Sequence, residues 1–313
     1  MQTLRLWLRN RNPADVMAHA VTLLFASTVL LVTALLVYEL YVSSAASRQE
    51  FGWTFLLSRD WDPVQDKFGA LPFIYGTVVT SVLALLMAAP VGVGAAIFLA
   101  ELAPPKISDT LTFVVELLAA VPSVIYGLLA IFTLVPWLRE TVQPFLQERF
   151  GYLPVFQGPM YGVGILAASM ILAIMILPFI VSISREALLA VPAEQREAAL
   201  AVGATRWEAA WQVVTPYAGL GIAGSVFLAL ARALGETMAV TMVIGNAPKI
   251  SASLFESGYS IAAVIANEFT EATGDMHLSA LVQLGLVLFG LTIVMNAIAR
   301  LMLAATSRKG SPQ

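Results

Sequence analysis

Arg232 and Glu236 stand four residues apart inside an apolar run, in the stretch Ala231-Arg-Ala-Leu-Gly-Glu-Thr-Met-Ala-Val240. An arginine at the centre of a bilayer costs about 2.5–3.5 kcal/mol on insertion scales, so such a residue faces a partner or a watery route. Their spacing puts both side chains on one face of a helix, within reach of each other. Two roles fit the pair. It could neutralise itself or tie its helix to a neighbour, although arginine ahead of glutamate is the less favourable order against the helix dipole and Gly235 weakens the helix. It could also receive an oxyanion, because a guanidinium presents a planar fork of donors suited to phosphate-type groups. A carboxylate beside that fork favours hydrogen phosphate, which has a proton to donate, over sulfate, which only accepts. Arg232 is then expected to attract the anion, and Glu236 to accept its hydrogen bond or to hold Arg232 between passages. Ser123 and Glu116 are the further polar candidates for such a pathway. Ser123 is expected to bond the backbone of its own helix. Glu116 lies nearer the cytoplasmic end, where a solvated or interhelical role competes with cargo contact.

The elements that must hold these residues follow from composition. Hydrophobic residues make up 59% and charged residues 12% of the chain, against roughly 45–50% and about 25% in soluble domains. An integral membrane protein is expected. Runs of roughly 20 apolar residues are read as spanning helices, since lipid offers no partner to an unpaired backbone group. Six such runs occur, at 16–42, 73–100, 110–137, 161–183, 217–246 and 278–305. None alternates as a barrel strand would, so the fold class is an all-α helical bundle, taken as one domain over 1–313. Arg5, Arg9 and Arg11 ahead of the first run imitate a cleavable signal, but an apolar core of roughly 27 residues far exceeds the 7–15 of a signal peptide. There is no cysteine, and His19 and His277 are the only histidines, so no metal site or other cofactor is expected. A net charge of -3 argues against a nucleic-acid partner.

Lysine and arginine set the orientation. With both termini in the cytoplasm, Arg5, Arg9, Arg11, Lys106, Arg185, Arg196, Arg206, Arg308 and Lys309 gather on the inner side. The segments 43–71, 138–160 and 247–277 then lie outside. In the first of them Trp53, Leu56, Leu57 and Trp61 recur at helical spacing, which predicts a short helix at the membrane surface. These outer segments are rich in carboxylates, among them Asp60, Asp62, Glu256, Glu268 and Glu271. A free anion would be repelled there, so something should deliver it.

The loop 184–216 is polar and helical in pattern, and it is expected on the cytoplasmic side. Pro192 suits the first turn of a helix running through Val202. Gly203 interrupts it, and Thr205-Arg-Trp-Glu208 has the form of a capping box. Two short helices thus meet at a glycine corner, with Ala198, Ala199, Ala201 and Gly203 forming a small face that a partner's groove could close around.

Glu197-Ala-Ala199, Gly203 and Pro216 stand at the spacing of the Glu-Ala-Ala loop of importer-type ABC-transporter permeases, which this loop resembles; Val213 and Thr215 replace the isoleucine and leucine of that pattern. Arg232-Ala-Leu-Gly-Glu-Thr-Met-Ala-Val-Thr-Met-Val-Ile-Gly-Asn246 is similar to the fifth-span signature of the phosphate-specific transport permeases. So are Val121-Pro-Ser-Val-Ile-Tyr-Gly127 and Gly76-Thr-Val-Val-Thr80. The resemblance implies the six-transmembrane-helix type I importer permease fold (MetI-like) in a bacterial inner membrane. It implies ATPase coupling through Glu197, Ala198, Ala199, Gly203 and Pro216. Its implied partners are a second, related permease, an ATPase dimer and an external phosphate-binding protein. The chain itself would neither bind nor hydrolyse ATP, and it has no Gly-x-x-x-x-Gly-Lys-Ser/Thr loop. Permeases for phosphonate, sulfate or molybdate, and an anion channel or ion-coupled carrier, remain as alternatives; the last two would not need the loop.

Overall fold

A computed structural model describes residues 13–307. Arg5, Arg9, Arg11, Arg308 and Lys309, on which part of the expected orientation rests, lie outside that range. The described elements are helical, in chain order α1 (Pro13–Ser43), α2 (Ala45–Phe51), α3 (Thr54–Leu57), α4 (Leu71–Ile97) and α5 (Pro105–Ala120), then α6 (Ser123–Phe150) and α7 (Ile165–Leu189). After these come α8 (Ala193–Ala201), α9 (Arg206–Tyr217), α10 (Gly219–Leu234), α11 (Met238–Thr241), α12 (Ile261–Glu268) and α13 (Asp275–Ser307). Helix α4 runs on through a π-turn at Phe98–Leu102. Five helices, α1, α4, α6, α7 and α13, are long and apolar enough to cross a bilayer, and α9 with α10 makes a sixth if the bent pair is one span. The helical bundle expected from composition is present.

Two of the expected spans are broken. The run 110–137 is not one helix: α5 ends at Ala120, Val121 turns extended at φ −67°, ψ 128°, and α6 starts at Ser123. Pro122 is the cause, because it has no N–H to give and forces its predecessor out of helical geometry. Helix α6 then continues to Phe150 through two π-turns, so much of the expected outer segment 138–160 is helical. The run 217–246 is broken twice. Helices α9 and α10 meet at 70°, where the π-turn Ala210–Val214, Pro216 and Gly219 fall within ten residues, each a recognised cause of a kink. Helix α10 stops at Leu234 before Gly235.

Helix α7 is the most enclosed element and lies between α4 and α10. Ile171, Leu172, Met175, Ile176 and Ile180 are buried there against Ala84 and Ala88 of α4 and Ala229 and Ala233 of α10. A side chain at Gly92 would come within 2.8 Å of Ile180, and one at Gly221 within 2.5 Å of the Ala187 methyl. Small residues on both neighbours let the backbones close on α7. Ser184 and Ser225 share a buried 2.7 Å hydrogen bond across the α7–α10 contact.

The segment 43–71 departs from its expected surface helix. Only α2 and α3 are helical, and Trp61 is turned inward, with ring centroids 4.9 Å from Phe68 and 4.8 Å from Phe73. Its indole N–H donates to Glu268 at 2.9 Å, and His277 meets the same carboxylate at 3.1 Å. The half-buried ring packs against a second core around Phe55, Phe73, Tyr259, Ile261 and Leu281. Trp53 alone of the pair stays outside, 85% exposed.

Gly76 carries that core onto α4. A Cβ there would lie 2.2 Å from the Tyr259 carbonyl oxygen, while the neighbouring Thr77 hydroxyl accepts the Ile261 N–H at 2.9 Å. Gly76→Val is expected to destabilise the protein by at least about 2 kcal/mol, measured as a fall in its thermal unfolding midpoint. Gly94→Ala, whose added methyl meets nothing within 4 Å, should leave that midpoint close to the parent's.

Candidate functional site

The loop 184–216 forms the glycine corner that its pattern predicts. Helix α8 ends in a Schellman closure: Ala204 N–H donates to Ala199 O at 3.2 Å and Gly203 N–H to Leu200 O at 3.0 Å, with Gly203 at φ +93°. Nothing stands within 4 Å of a Cβ built on Gly203, so glycine is required by backbone geometry and not by crowding. The capping box of α9 is complete. Thr205 N–H donates to Glu208 Oε2 at 2.8 Å, and the Glu208 N–H returns a 3.3 Å bond to the Thr205 hydroxyl. Pro192 sits one place before the first turn, at the N-cap of α8.

The exposed face differs from the one expected. Glu197, Ala198 and Ala201 face outward with Pro216, but Ala199 is buried against its own chain. Helical spacing turns two adjacent alanines about 100° apart, so they cannot both lead the face. Leu200, Val202, Trp207 and Trp211 complete the outward surface, Val202 at 86% exposure. The two indoles stack with centroids 6.0 Å apart and planes 9° from parallel.

Arg196 fixes this loop to the bundle. Its Nε and Nη2 donate to Glu101 at 2.8–3.1 Å in a bidentate pair. Nη1 donates to Val191 O at 2.6 Å and Nη2 also to Leu188 O at 2.7 Å. One guanidinium therefore holds the end of α4, closes the C-terminus of α7 where carbonyls lack helical partners, and carries α8. A second link runs beside it: Arg185 Nη2 donates to the Ser108 hydroxyl at 3.2 Å, which donates to Leu99 O at 2.8 Å. Sequence reasoning did not single out Glu101. The signal available was a lone carboxylate closing an apolar run, with arginines expected on the same side.

Arg232 and Glu236 are not paired. Among the described ion pairs none joins them, because α10 ends at Leu234 and Glu236 lies beyond the turn at Gly235. Glu236 instead accepts the Ala239 N–H at 3.4 Å, at the start of α11. The Arg232 guanidinium lies over the Phe179 ring of α7, 4.3 Å from its centroid, and its buried Nε has no hydrogen-bond partner. Ser123 is the first residue of α6 and half-buried. No hydrogen bond to its hydroxyl is present among the described residues, contrary to the expected bond to its own helix. One turn on, Tyr126 donates to Leu118 O at 2.7 Å across the break, close enough to Arg232 to feel its charge. Gly127 packs against Ala239 and Met242. Helix α11 packs against the start of α6, and Arg232 near the end of α10 lies close to Tyr126, so the three helix ends share one neighbourhood. Glu116 is not part of it and lies exposed on α5.

The profile of the family described as "Binding-protein-dependent transport system inner membrane component" matches residues 92–308. A phosphate transport system permease protein PstC of Mesorhizobium japonicum is 50% identical over 293 residues, 92% of this chain and 90% of that one. The PstC of Pasteurella multocida is 45% identical over 304 residues, 96% and 95% of the two chains. Among solved structures, a bacterial alginate ABC transporter in complex with a pentasaccharide-bound periplasmic protein aligns over 92% of this chain and 96% of its own, with TM-score 0.59 at 16% identity. At that identity the likeness is one of fold.

The Arg196 anchor yields a direct expectation. Arg196→Ala strands Glu101, which is 10% exposed in the pair; allowing for partial solvation, amides of 188–204 should exchange with deuterium about tenfold faster. Exchange mass spectrometry of the purified protein checks this, and unchanged protection there would show the anchor to be dispensable.

Proposed function

Because the chain belongs to the family of binding-protein-dependent transport system inner membrane components, and within it to the PstC phosphate transport permeases, we propose that Arg232 lines the route by which it passes phosphate. The protein is the permease subunit of an ATP-driven phosphate importer. Its route opens alternately to the two sides. The observation that carries this reading is Arg232 itself, a half-buried guanidinium that has no carboxylate partner among the described residues and whose buried Nε is left without an acceptor. Phe179 orients it from below, and the Ser123 hydroxyl supplies a further donor. Glu236 stands near as an acceptor for the proton that hydrogen phosphate retains. Arsenate, of the same shape and protonation, should compete; sulfate should not.

Force enters at the loop. The chain would be gripped by an ATPase dimer on the outward face of Glu197, Ala198 and Gly203, with both termini on that same cytoplasmic side. Ala199, buried against its own chain, shapes the loop rather than touching the partner, while the exposed Pro216 remains open to it. Displacing α8 would pull, through Arg196, on the ends of α4 and α7 at once. Since Phe179 of α7 lies on Arg232, movement of α7 reaches the anion site without an intermediary. A second related permease would complete the pathway, with Glu116 on a surface available to it, and an external phosphate-binding protein would deliver the anion past the acidic outer segments. ATP hydrolysis belongs to the partner subunits.

Arg232→Gln is expected to lower phosphate uptake by reconstituted vesicles at least about 100-fold, the scale of about 2.7 kcal/mol, while the complex still assembles. Uptake at the parent rate would remove Arg232 from the route. Ala198→Trp, on an exposed position, should leave the permease folded and reduce copurification of the ATPase; full ATP-dependent uptake in that variant would refute docking at this face.

A further inference from the structure

At the end of the bundle opposite the loop 184–216, a groove of about 600 Å³ opens between the end of α1, α2 and α3, the start of α4, and α13. Its polarity runs one way. Arg48, Tyr41 and Gln283 stand at its top, and below them Ile74, Val287 and Leu291 line apolar walls. From Gln283 to Leu291 the groove follows nine residues of α13, about 12 Å at helical rise. That depth approaches one leaflet of a hydrocarbon core about 30 Å thick. The lower wall is open at Gly290, where a Cβ would meet nothing within 4 Å. Trp53, exposed at the mouth, has the amphipathic ring found at membrane interfaces.

Arg48 is oriented but not neutralised. Its Nε donates to the Ser44 hydroxyl at 3.0 Å and its Nη2 to Tyr41 O at 2.6 Å, while the guanidinium lies 3.7 Å over the Tyr41 ring. Among the described ion pairs none involves Arg48. Its Nη1 amino group takes no part in those bonds. A fixed cation at the head of an apolar channel about 12 Å deep matches an amphiphile whose anionic end precedes its tail.

We propose that this groove holds one membrane phospholipid, its phosphate on Arg48 and an acyl chain running down α13 to Gly290 and Leu291. Inorganic phosphate would meet the same guanidinium but gain nothing from the apolar walls. The lipid would fill the gap between α1 and the rest of the chain, securing a helix that buries none of its spanning residues against its own protein.

Native mass spectrometry of the purified transport complex, titrated with dioleoyl phosphatidylglycerol, tests this. The parent complex should retain one lipid that Gly290→Leu excludes and that Arg48→Gln binds about tenfold more weakly, the scale of one charge-assisted hydrogen bond. Dioleoylglycerol, without a phosphate, should not replace it, and millimolar inorganic phosphate should not displace it. Retention equal to the parent's in either variant would overturn the proposal, and so would displacement by inorganic phosphate. In vesicles, a phospholipid carrying a diazirine in its tail should label residues 286–291. An absence of label in the assembled complex would mean that another subunit covers the groove, which also overturns it.

Discussion

The bundle depends on how closely α4 and α10 approach α7. Lipid tails are as apolar as leucine, so no water-driven force draws these helices together; they associate through close packing and a few interhelical hydrogen bonds. Alanines 84, 88, 229 and 233, with Gly92 and Gly221, make that packing possible by keeping the surfaces facing α7 shallow. Larger residues there would push the helices apart and cost dispersion contacts along the whole length of α7. With the approach made, Phe179 reaches Arg232 near one end of the contact and Ser184 reaches Ser225 near the other.

The breaks in the spanning helices are the second constraint. Each break strands backbone groups, and lipid provides nothing to satisfy them. At the breaks made by Pro122 and Gly235 the chain supplies some of the missing bonds itself: Tyr126 spans one gap to Leu118 and Glu236 serves the start of α11 at the other. The same breaks leave Arg232 at a helix end and Ser123 at a helix start. Polar groups at helix ends therefore arise from the devices that interrupt the helices.

Few parts connect the loop 184–216 with Arg232. Arg196 ties α8 to the ends of α4 and α7, and α7 carries Phe179 under Arg232. A close-packed helix transmits displacement along its axis with little loss, because its interior is about as dense as an organic crystal. Under the proposed function, a displacement of the loop would reach Phe179 through α7.

Much of this was legible from residues alone. Apolar runs of spanning length announced the bundle, because lipid permits little else. The corner at Gly203 and the capping box of Thr205 and Glu208 were readable because their hydrogen bonds close within a few residues. Family membership was carried by motifs whose spacing survives in one dimension. The partners of long side chains were not readable. A spacing of four placed Glu236 beside Arg232 only if the helix continued, and Gly235 ended it. Two adjacent alanines read as one face, and packing turned Ala199 inward. Glu101 and Arg196 lie 95 residues apart in the chain, and Trp61 and Glu268 lie 207 apart. Local pattern determines which segments are helical and where their ends are capped; which charges meet is decided only when helices distant in sequence are pressed together, since that contact energy does not exist until the chain has folded.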